Sequence, residues 1–342
     1  MRYKFQGKGI FVFSDPAGAN STLALIDNIL KCGGKNNEDF MVFTNSVGVF
    51  PNEYNNLVKI KDFSSKFYSE ILDKFKPDYI FTATSNNNYE HNIRLLSQQK
   101  GIRTIAFIDH WTNYFKRFTF NNKTLFPDEI WVINDIAKKE TIEAGLPEDK
   151  IFISGNPYYE KIKKFVPRVG KESFLREHGI PLDKKIIMFI SDDLRESFPK
   201  DAKGKCILGF DEFTVLSDIL NSFCQIHNKG LIDFSKYLFL IKIHPRGKIN
   251  KFDSLIRNRK YNFLNIEVRK KIDPPTITFF SDYVLGMFSN MVTEALLMEK
   301  KVLRVQTGQV GEDILKFDEV NCKLITKRED LLNDLIKFME AL

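Results

Sequence analysis

The residues best suited to chemistry fall in a few short segments, each directly after an apolar run. In Asp109-His110-Trp111-Thr112-Asn113-Tyr114 a carboxylate stands beside an imidazole and two aromatic rings. Such rings cover the apolar face of a sugar, while Asp109, with His110 beside it, is placed to take a proton from a hydroxyl. Arg117 follows on the same stretch. The plainer reading makes Trp111 and Tyr114 domain-interface packing and His110 a satisfied core polar group. Ser14-Asp15-Pro16-Ala17-Gly18-Ala19-Asn20 is a small-residue turn whose backbone N–H groups could approach a ligand closely. Asp15 then stands at its edge as a second candidate base, or simply caps the helix that follows. The dinucleotide pattern GxGxxG is absent.

Lys242-Ile243-His244-Pro245-Arg246-Gly247 concentrates hydrogen-bond donors where a phosphate could dock, with Pro245 stiffening the turn around His244. A solvated basic loop is the alternative. In Gly286-Met287-Phe288-Ser289-Asn290 a strand ends in a turn that caps a new helix, whose first-turn N–H groups suit an anion. Glu294 sits one turn further on, placed for ribose hydroxyls or as a capping partner. Ser191-Asp192-Asp193-Leu194-Arg195 adds Ser191 and Arg195 as contacts to base or phosphate. Adjacent Asp192 and Asp193 diverge on an extended loop, and the five histidines are dispersed, so no metal site is expected.

These segments need a scaffold that brings strand ends together. Short apolar runs alternate with amphipathic stretches along the whole chain, which predicts β-α-β units and mainly parallel sheets. Strands are expected at Gly9 to Ser14, Asp39 to Thr44, Tyr79 to Thr82, Thr104 to Ile108, Glu129 to Ile133 and Ile151 to Ser154. Helices are expected at Ser21 to Lys31, Ser65 to Phe75, Asn88 to Lys100 and Ile136 to Ala144. After a basic interruption carrying Pro167 and Gly170, strands resume at Lys185 to Ser191, Tyr237 to Ile243, Asn265 to Val268, Tyr283 to Gly286 and Lys301 to Val305. The helices of that half are expected at Lys171 to His178, Asp211 to Lys229, Lys251 to Lys260, Asn290 to Met298 and Glu329 to Met339. The expectation is an α/β chain of two doubly wound, Rossmann-like domains facing across a cleft, at 1–160 and 183–342, with a linker at 161–182. In such sheets ligands bind beyond the carboxyl ends of the strands.

At 342 residues the chain is long enough for two apolar cores, and its 43% hydrophobic and 28% charged residues exclude wholesale disorder. Lys and Arg exceed Asp and Glu by 51 − 44 = 7, which favours anionic partners without naming one. The basic residues are not interleaved with stacking aromatics, so no nucleic acid is expected. Cys32, Cys206, Cys224 and Cys322 show neither CxxC nor zinc-finger spacing. Scattered cysteines and the lack of a signal-peptide segment or a run of about 18 apolar residues point to the cytoplasm. Loose peripheral attachment at the inner face of a membrane stays open, and the oligomeric state is not legible.

Taken together, the segments resemble the glycosyltransferase-B (GT-B) superfamily, which also contains the UDP-N-acetylglucosamine 2-epimerases. The resemblance is carried by Pro127-Asp128-Glu129-Ile130-Trp131-Val132, by Gly145-Leu146-Pro147-Glu148-Asp149-Lys150-Ile151, and by Ser154-Gly155-Asn156-Pro157. His244-Pro245 and Ser289-Asn290 with Glu294-Ala295 are similar to the donor-binding domain of capsular Kdo and sialic acid transferases. The resemblance implies an inverting, metal-independent glycosyltransferase that needs no cofactor. Its donor is a CMP-nonulosonate or UDP-sugar and its acceptor a hydroxyl of a glycan or glycolipid. The nucleotide falls to Ser191, Arg195, Lys242, His244, Pro245, Arg246, Met287, Ser289, Asn290 and Glu294, and the acceptor to Trp111, Asn113, Tyr114 and Asn156. Asp109, Asp15 or His110 does the proton chemistry. The family's second serine is Asn290 here, and the epimerase run Glu-Ala-Gly-Leu-Arg is missing after Ile108-Asp109-His110. A 2-epimerase or hydrolase, and a non-catalytic glycan-assembly protein, are the alternatives.

Overall fold

A computed structural model describes residues 5–31, 37–44, 58–60, 64–85, 88–316 and 322–340. The chain forms two compact units, Met1–Lys161 and Ile162–Leu342.

In the first unit, strands β1 (Gly9–Phe13), β2 (Phe40–Thr44), β3 (Val58–Ile60), β4 (Tyr79–Thr82), β5 (Arg103–Ile108), β8 (Glu129–Val132) and β9 (Ile151–Ile153) make one sheet. Its order is β3-β2-β1-β4-β5-β8-β9 and every pairing is parallel. A two-stranded hairpin, β6 (Thr119–Phe120) and β7 (Lys123–Thr124), stands apart from it. GIFVF of β1 is buried at all five positions, as befits a strand covered on both faces. Helices α1 (Pro16–Lys31), α2 (Ser65–Phe75), α3 (Asn88–Gln99), α4 (Asp135–Glu143) and α5 (Pro157–Lys163) follow the strands. The abundant phenylalanines serve packing: Phe5 lies 4.8 Å from Tyr79 and 5.5 Å from Trp131, ring centre to ring centre.

Helix α1 starts five residues before the expected Ser21. Pro16 is a favourable first helical residue, and the Asp15 carboxylate accepts the Gly18 N–H at 2.7 Å, so the small-residue stretch is the helix's own first turn. Gly18 is required there, because a Cβ would come within 2.6 Å of the Ala83 Cβ. The short β3 and α5 were not expected from the sequence.

The second unit holds β10 (Lys185–Ile190), β11 (Tyr237–Lys242), β12 (Asn265–Arg269), β13 (Tyr283–Gly286), β14 (Val302–Val305) and β15 (Leu324–Ile325). The order is β12-β11-β10-β13-β14-β15, again all parallel. Its helices are α6 (Lys171–Glu177), α7 (Leu194–Ser197), α8 (Glu212–Asn228), α9 (Asp253–Ile256), α10 (Pro274–Phe280), α11 (Asn290–Leu297) and α12 (Arg328–Glu340). Of the stretch 161–182, all but Lys161 belongs to this unit, where α6 sets Phe174 against Phe280 at 5.5 Å. The helix expected over Lys251 to Lys260 shrinks to α9, because the Asn258 side chain accepts the Lys260 N–H and opens a separate turn. The Pro274-Pro275 pair opens α10 behind the Asp273 cap.

Cys206, Cys224 and Cys322 are free thiols, and Cys32 lies outside the described residues. Among the described residues no helix is long and apolar enough to cross a membrane.

Candidate functional site

In both sheets the chain's direction of progress reverses beside the first strand, between β1 and β4 and between β10 and β13. Loops diverge at such a switch point and leave a crevice at the carboxyl edge.

At that edge of the first unit, β1, β4 and β5 lie side by side and deliver Asp15, residues 83–85 and Asp109 together. Burial pushes the Asp15 carboxyl up to about 6, and the neighbouring Asp109 charge adds to the rise. The Gly18 N–H and Arg117 oppose it. Asp109 is 8% exposed and meets Arg117 Nη1 at 3.2 Å. The same guanidinium donates to the Thr84 carbonyl at 3.0 Å and hydroxyl at 2.9 Å, and its Nε donates to the Thr112 carbonyl at 2.9 Å. A third carboxyl, Glu90 on α3, is fully buried and pushed up to about 7, first by desolvation and then by the Asp15 charge.

The aromatic pair of this loop is engaged within the unit. Trp111 is buried and donates its indole N–H to Asn134 at 3.1 Å, and Tyr114 is buried and donates to Glu140 at 2.8 Å. Both partners sit on or beside α4, Asn134 as its cap. The polar atoms of both rings are thus engaged by residues of the same unit rather than across a domain interface, and the His110 ring meets Trp111 edge-on at 5.6 Å. Asn113 is exposed with φ +58, a left-handed conformation that asparagine tolerates. Asn156 is buried and accepts from the Ser21 hydroxyl at 3.2 Å and the Tyr158 N–H at 3.0 Å, tying α5 to α1.

At the carboxyl edge of the second unit, β10 lies between β11 and β13, so residues 191–195, 243–247 and 287–290 leave from adjacent strands. The Ser191 N–H bonds the Lys242 carbonyl at 3.0 Å. His244 accepts the Arg246 N–H at Nδ1, 3.3 Å away. Burial, then the Arg246 charge, lower His244 to about 4, so the imidazole is neutral and Nε2 carries the proton as a donor. Pro245 and Arg246 are exposed; Arg246 reaches the Ser197 hydroxyl at 3.1 Å. Ser289 caps α11 by position but makes no side-chain capping bond. Asn290 opens the helix, and Glu294 is buried one turn on.

Other predicted donors are spoken for. Lys242 is buried, lowered to about 8 by desolvation, and donates to the carbonyls of Lys270 at 3.0 Å and Ile243 at 3.3 Å. Arg195 pairs with Asp211 at 2.8 Å and lies 3.9 Å over the Phe213 ring. Met287 is buried, and its carbonyl accepts from Arg304 Nε at 2.9 Å and Gln306 at 3.2 Å. Asp192 is buried and raised to about 7 by desolvation, while Asp193 faces Arg246 at 3.8 Å and Lys251 at 3.6 Å. Among the described residues no three His, Cys, Asp or Glu side chains converge in a way that could hold a metal ion.

Several residues at these edges escaped the sequence reading: Glu90, Arg94, Lys251, Glu212 and Arg304. Half-buried Lys251 donates to Glu212 at 2.9 Å and to the Asp192 carbonyl at 3.2 Å, and Arg304 pairs with Asp313. Charged residues are ordinarily solvated, so no local pattern marks the few that a fold encloses. A surface cavity of about 690 Å³ lined by Lys8, Lys74, Lys76, Asp39 and Asp78 among others lies at the amino edge of the first sheet and contains none of these groups.

No protein-family model matches the chain, and no curated protein matches it in sequence. Solved structures do match. The Neisseria meningitidis UDP-GlcNAc 2-epimerase bound to UDP-GlcNAc superposes with a TM-score of 0.64 at 13% identity, covering 97% of this chain and 91% of its own. Anabaena HepE in complex with UDP-glucose gives 0.62 at 14%, covering 97% and 90%. A glycosyltransferase from Rickettsia africae gives 0.62 at 14%, covering 98% and 89%. The fold is GT-B-like. At such identities the likeness establishes the two-domain architecture shared by these epimerases and transferases, and the chemistry must be argued from the residues.

Proposed function

We propose that this chain is a nucleotide-sugar enzyme in which the second unit holds the nucleotide and the first supplies proton transfer, and that it moves a sugar to an acceptor hydroxyl. The observation that carries this reading is the pair Asp15 and Asp109 at the switch point of the first sheet, with Asp15 at about 6. Such a carboxyl is ionised at neutral pH yet basic enough to accept a proton in a transition state. In the proposed step the acceptor oxygen attacks the anomeric carbon and its proton passes to Asp15. The bond from that carbon to the phosphate oxygen breaks, leaving its electron pair on the phosphate. Asp109, fixed by Arg117, orients the acceptor, with His110, Asn113 and the rims of Trp111 and Tyr114 as further contacts.

The second unit answers the other need, stabilising negative charge on the leaving phosphate. His244 Nε2, Arg246 and the opening turn of α11 at Ser289 and Asn290 are the groups proposed to do so, with Glu294 on the ribose. Lys242, Met287, Ser191 and Arg195 shape those loops through the bonds described above. The matched structures hold UDP-GlcNAc and UDP-glucose, which supports a UDP-sugar as donor over a CMP-nonulosonate. A glycan or glycolipid hydroxyl serves as acceptor, at or near the inner face of a membrane.

A second reading, epimerisation or hydrolysis of a nucleotide sugar, is favoured by the likeness to a UDP-GlcNAc 2-epimerase and by the pair Asp15 and Asp109, two carboxyls at one edge that offer both a base and an acid without an acceptor. Incubation with UDP-GlcNAc or UDP-glucose, with and without saccharide acceptors, separates the two. UDP release that requires an acceptor supports transfer; conversion to an epimer or free sugar without one supports the second reading. The absence of turnover and of nucleotide binding would overturn both.

A further inference from the structure

We infer that Glu90 and Arg94 of α3 are positioning residues for the carboxyl pair, gripping the exit of β4 so that this exit holds Arg117 against Asp109. The inference rests on the reading of Asp15 and Asp109 as the proton-handling groups. One turn apart on α3, the two side chains project from the same face of the helix and are both buried. Arg94 Nη1 donates to the Thr82 hydroxyl at 2.8 Å and to the Ala83 carbonyl at 3.4 Å. Glu90 accepts the Ser85 N–H at 2.8 Å and the Ser85 hydroxyl at 2.9 Å. Residues 82, 83 and 85 are thus held from α3.

Between them, Thr84 turns its hydroxyl and carbonyl to Arg117, and its hydroxyl also donates to the Phe107 carbonyl on β5 at 2.9 Å. Arg117 completes the chain at Asp109. Ala83 lies under the first turn of α1, in contact range of Gly18, so the same grip sets the floor beneath Asp15. The arrangement costs the burial of an arginine and a glutamate, which a structure needing only an apolar helix face would avoid.

The groups facing Asp15 are Asp109 on the β5 loop, Arg117 beyond it and Glu90 on α3. Those facing Glu90 are Arg94 on its own helix, Ser85 at the β4 exit, Tyr68 on α2 and Asp15. Glu90→Gln preserves an acceptor for the Ser85 N–H and removes the charge, whereas Glu90→Ala removes both. Thr84→Val removes only the hydroxyl that Arg117 meets and is the variant least prone to misfold.

The test is the pH profile of kcat/KM with a UDP-sugar for Glu90→Gln, Glu90→Ala and Thr84→Val. Glu90→Gln, which keeps an acceptor for the Ser85 N–H, is expected to hold kcat within a few-fold of wild type and to leave the acid limb in place, because Glu90 at about 7 is already mostly protonated where Asp15 at about 6 titrates, with the donor KM unchanged. Glu90→Ala and Thr84→Val are expected to lower kcat about tenfold and a few-fold at constant donor KM. Wild-type rates in Glu90→Ala and Thr84→Val, or parallel loss of donor binding and kcat, would overturn the inference. Carbon-13 titration of the Asp15 carboxyl in wild type and Glu90→Ala needs no turnover. Its midpoint must move in the variant, whose released β4 exit no longer fixes Ala83 beneath Asp15 and Arg117 beside Asp109, and an unchanged midpoint overturns the inference even if the nucleotide-sugar reading has itself failed.

Discussion

The two sheets share one strand order over six strands, the first carrying β9 as a seventh, yet their carboxyl edges are furnished in opposite ways. In the first, Asp15, Glu90 and Asp109 crowd together with Arg117 and Arg94 between them, and two of the three acids are raised toward neutrality. In the second, His244 is lowered and Lys242 is lowered, while Lys251, Arg195 and Arg304 each have a carboxylate partner. Topology supplies the crevice in both cases. On the reading proposed above, the side chains at its rim decide whether it moves protons or receives an anion, so similar strand orders carry complementary chemistry.

The largest effect expected from this contrast is on turnover. Asp15→Asn should lower kcat/KM for a UDP-sugar by about 10²–10⁴-fold while leaving nucleotide-induced thermal stabilisation intact. Loss of that stabilisation would mean the labour is not divided between the edges. Next is Arg304→Ala, which strips a buried cation from Asp313 and the Met287 carbonyl and should cost about 2–4 kcal/mol in denaturant unfolding. Because Met287 precedes the α11 cap, nucleotide affinity should fall with it.

The pH dependence of stability differs in sign between the edges. Glu90 and Asp15 are raised in the folded chain, so the stability they confer is present below about pH 4 and is lost as pH rises through about 6 and about 7. His244 is lowered to about 4, so its contribution is present above about 6.5 and is lost as pH falls through about 4. Asp192, raised to about 7, is the acid of the second unit that follows the first unit's sign. Denaturant titrations from pH 4 to 8 should show Glu90→Gln flattening the decline by about 2 kcal/mol and His244→Asn flattening the rise. Both edges should dwarf an exposed pair: Glu172→Ala, which removes the 2.7 Å contact to Arg176, should change stability by about 0.3–0.5 kcal/mol.

What the sequence discloses follows from what burial does to composition. Runs such as GIFVF and YLFLIK are apolar at nearly every position because parallel strands are covered on both faces, so the fold class and most strands were legible. Asp15 was legible as a candidate, but the turn it was assigned to is helix, since Pro16 and Gly18 signal a loop until the cap geometry and the close approach of Ala83 are known. Trp111 and Tyr114 announce a sugar platform by type, and only coordinates reveal Asn134 and Glu140 taking their polar atoms. Glu90 and Arg94 were invisible, because partners such as Thr82 and Ser85 are distributed along the chain and no spacing rule links them.

Titration calorimetry with UDP on the wild type, His244→Ala and Asp15→Asn tests the central claim most directly. The account predicts binding that weakens about 10–100-fold in His244→Ala, the loss of a hydrogen bond to a charged group, and is unchanged in Asp15→Asn. No heat of binding with UDP, CMP, GDP or CDP, or equal weakening in the two variants, would contradict it.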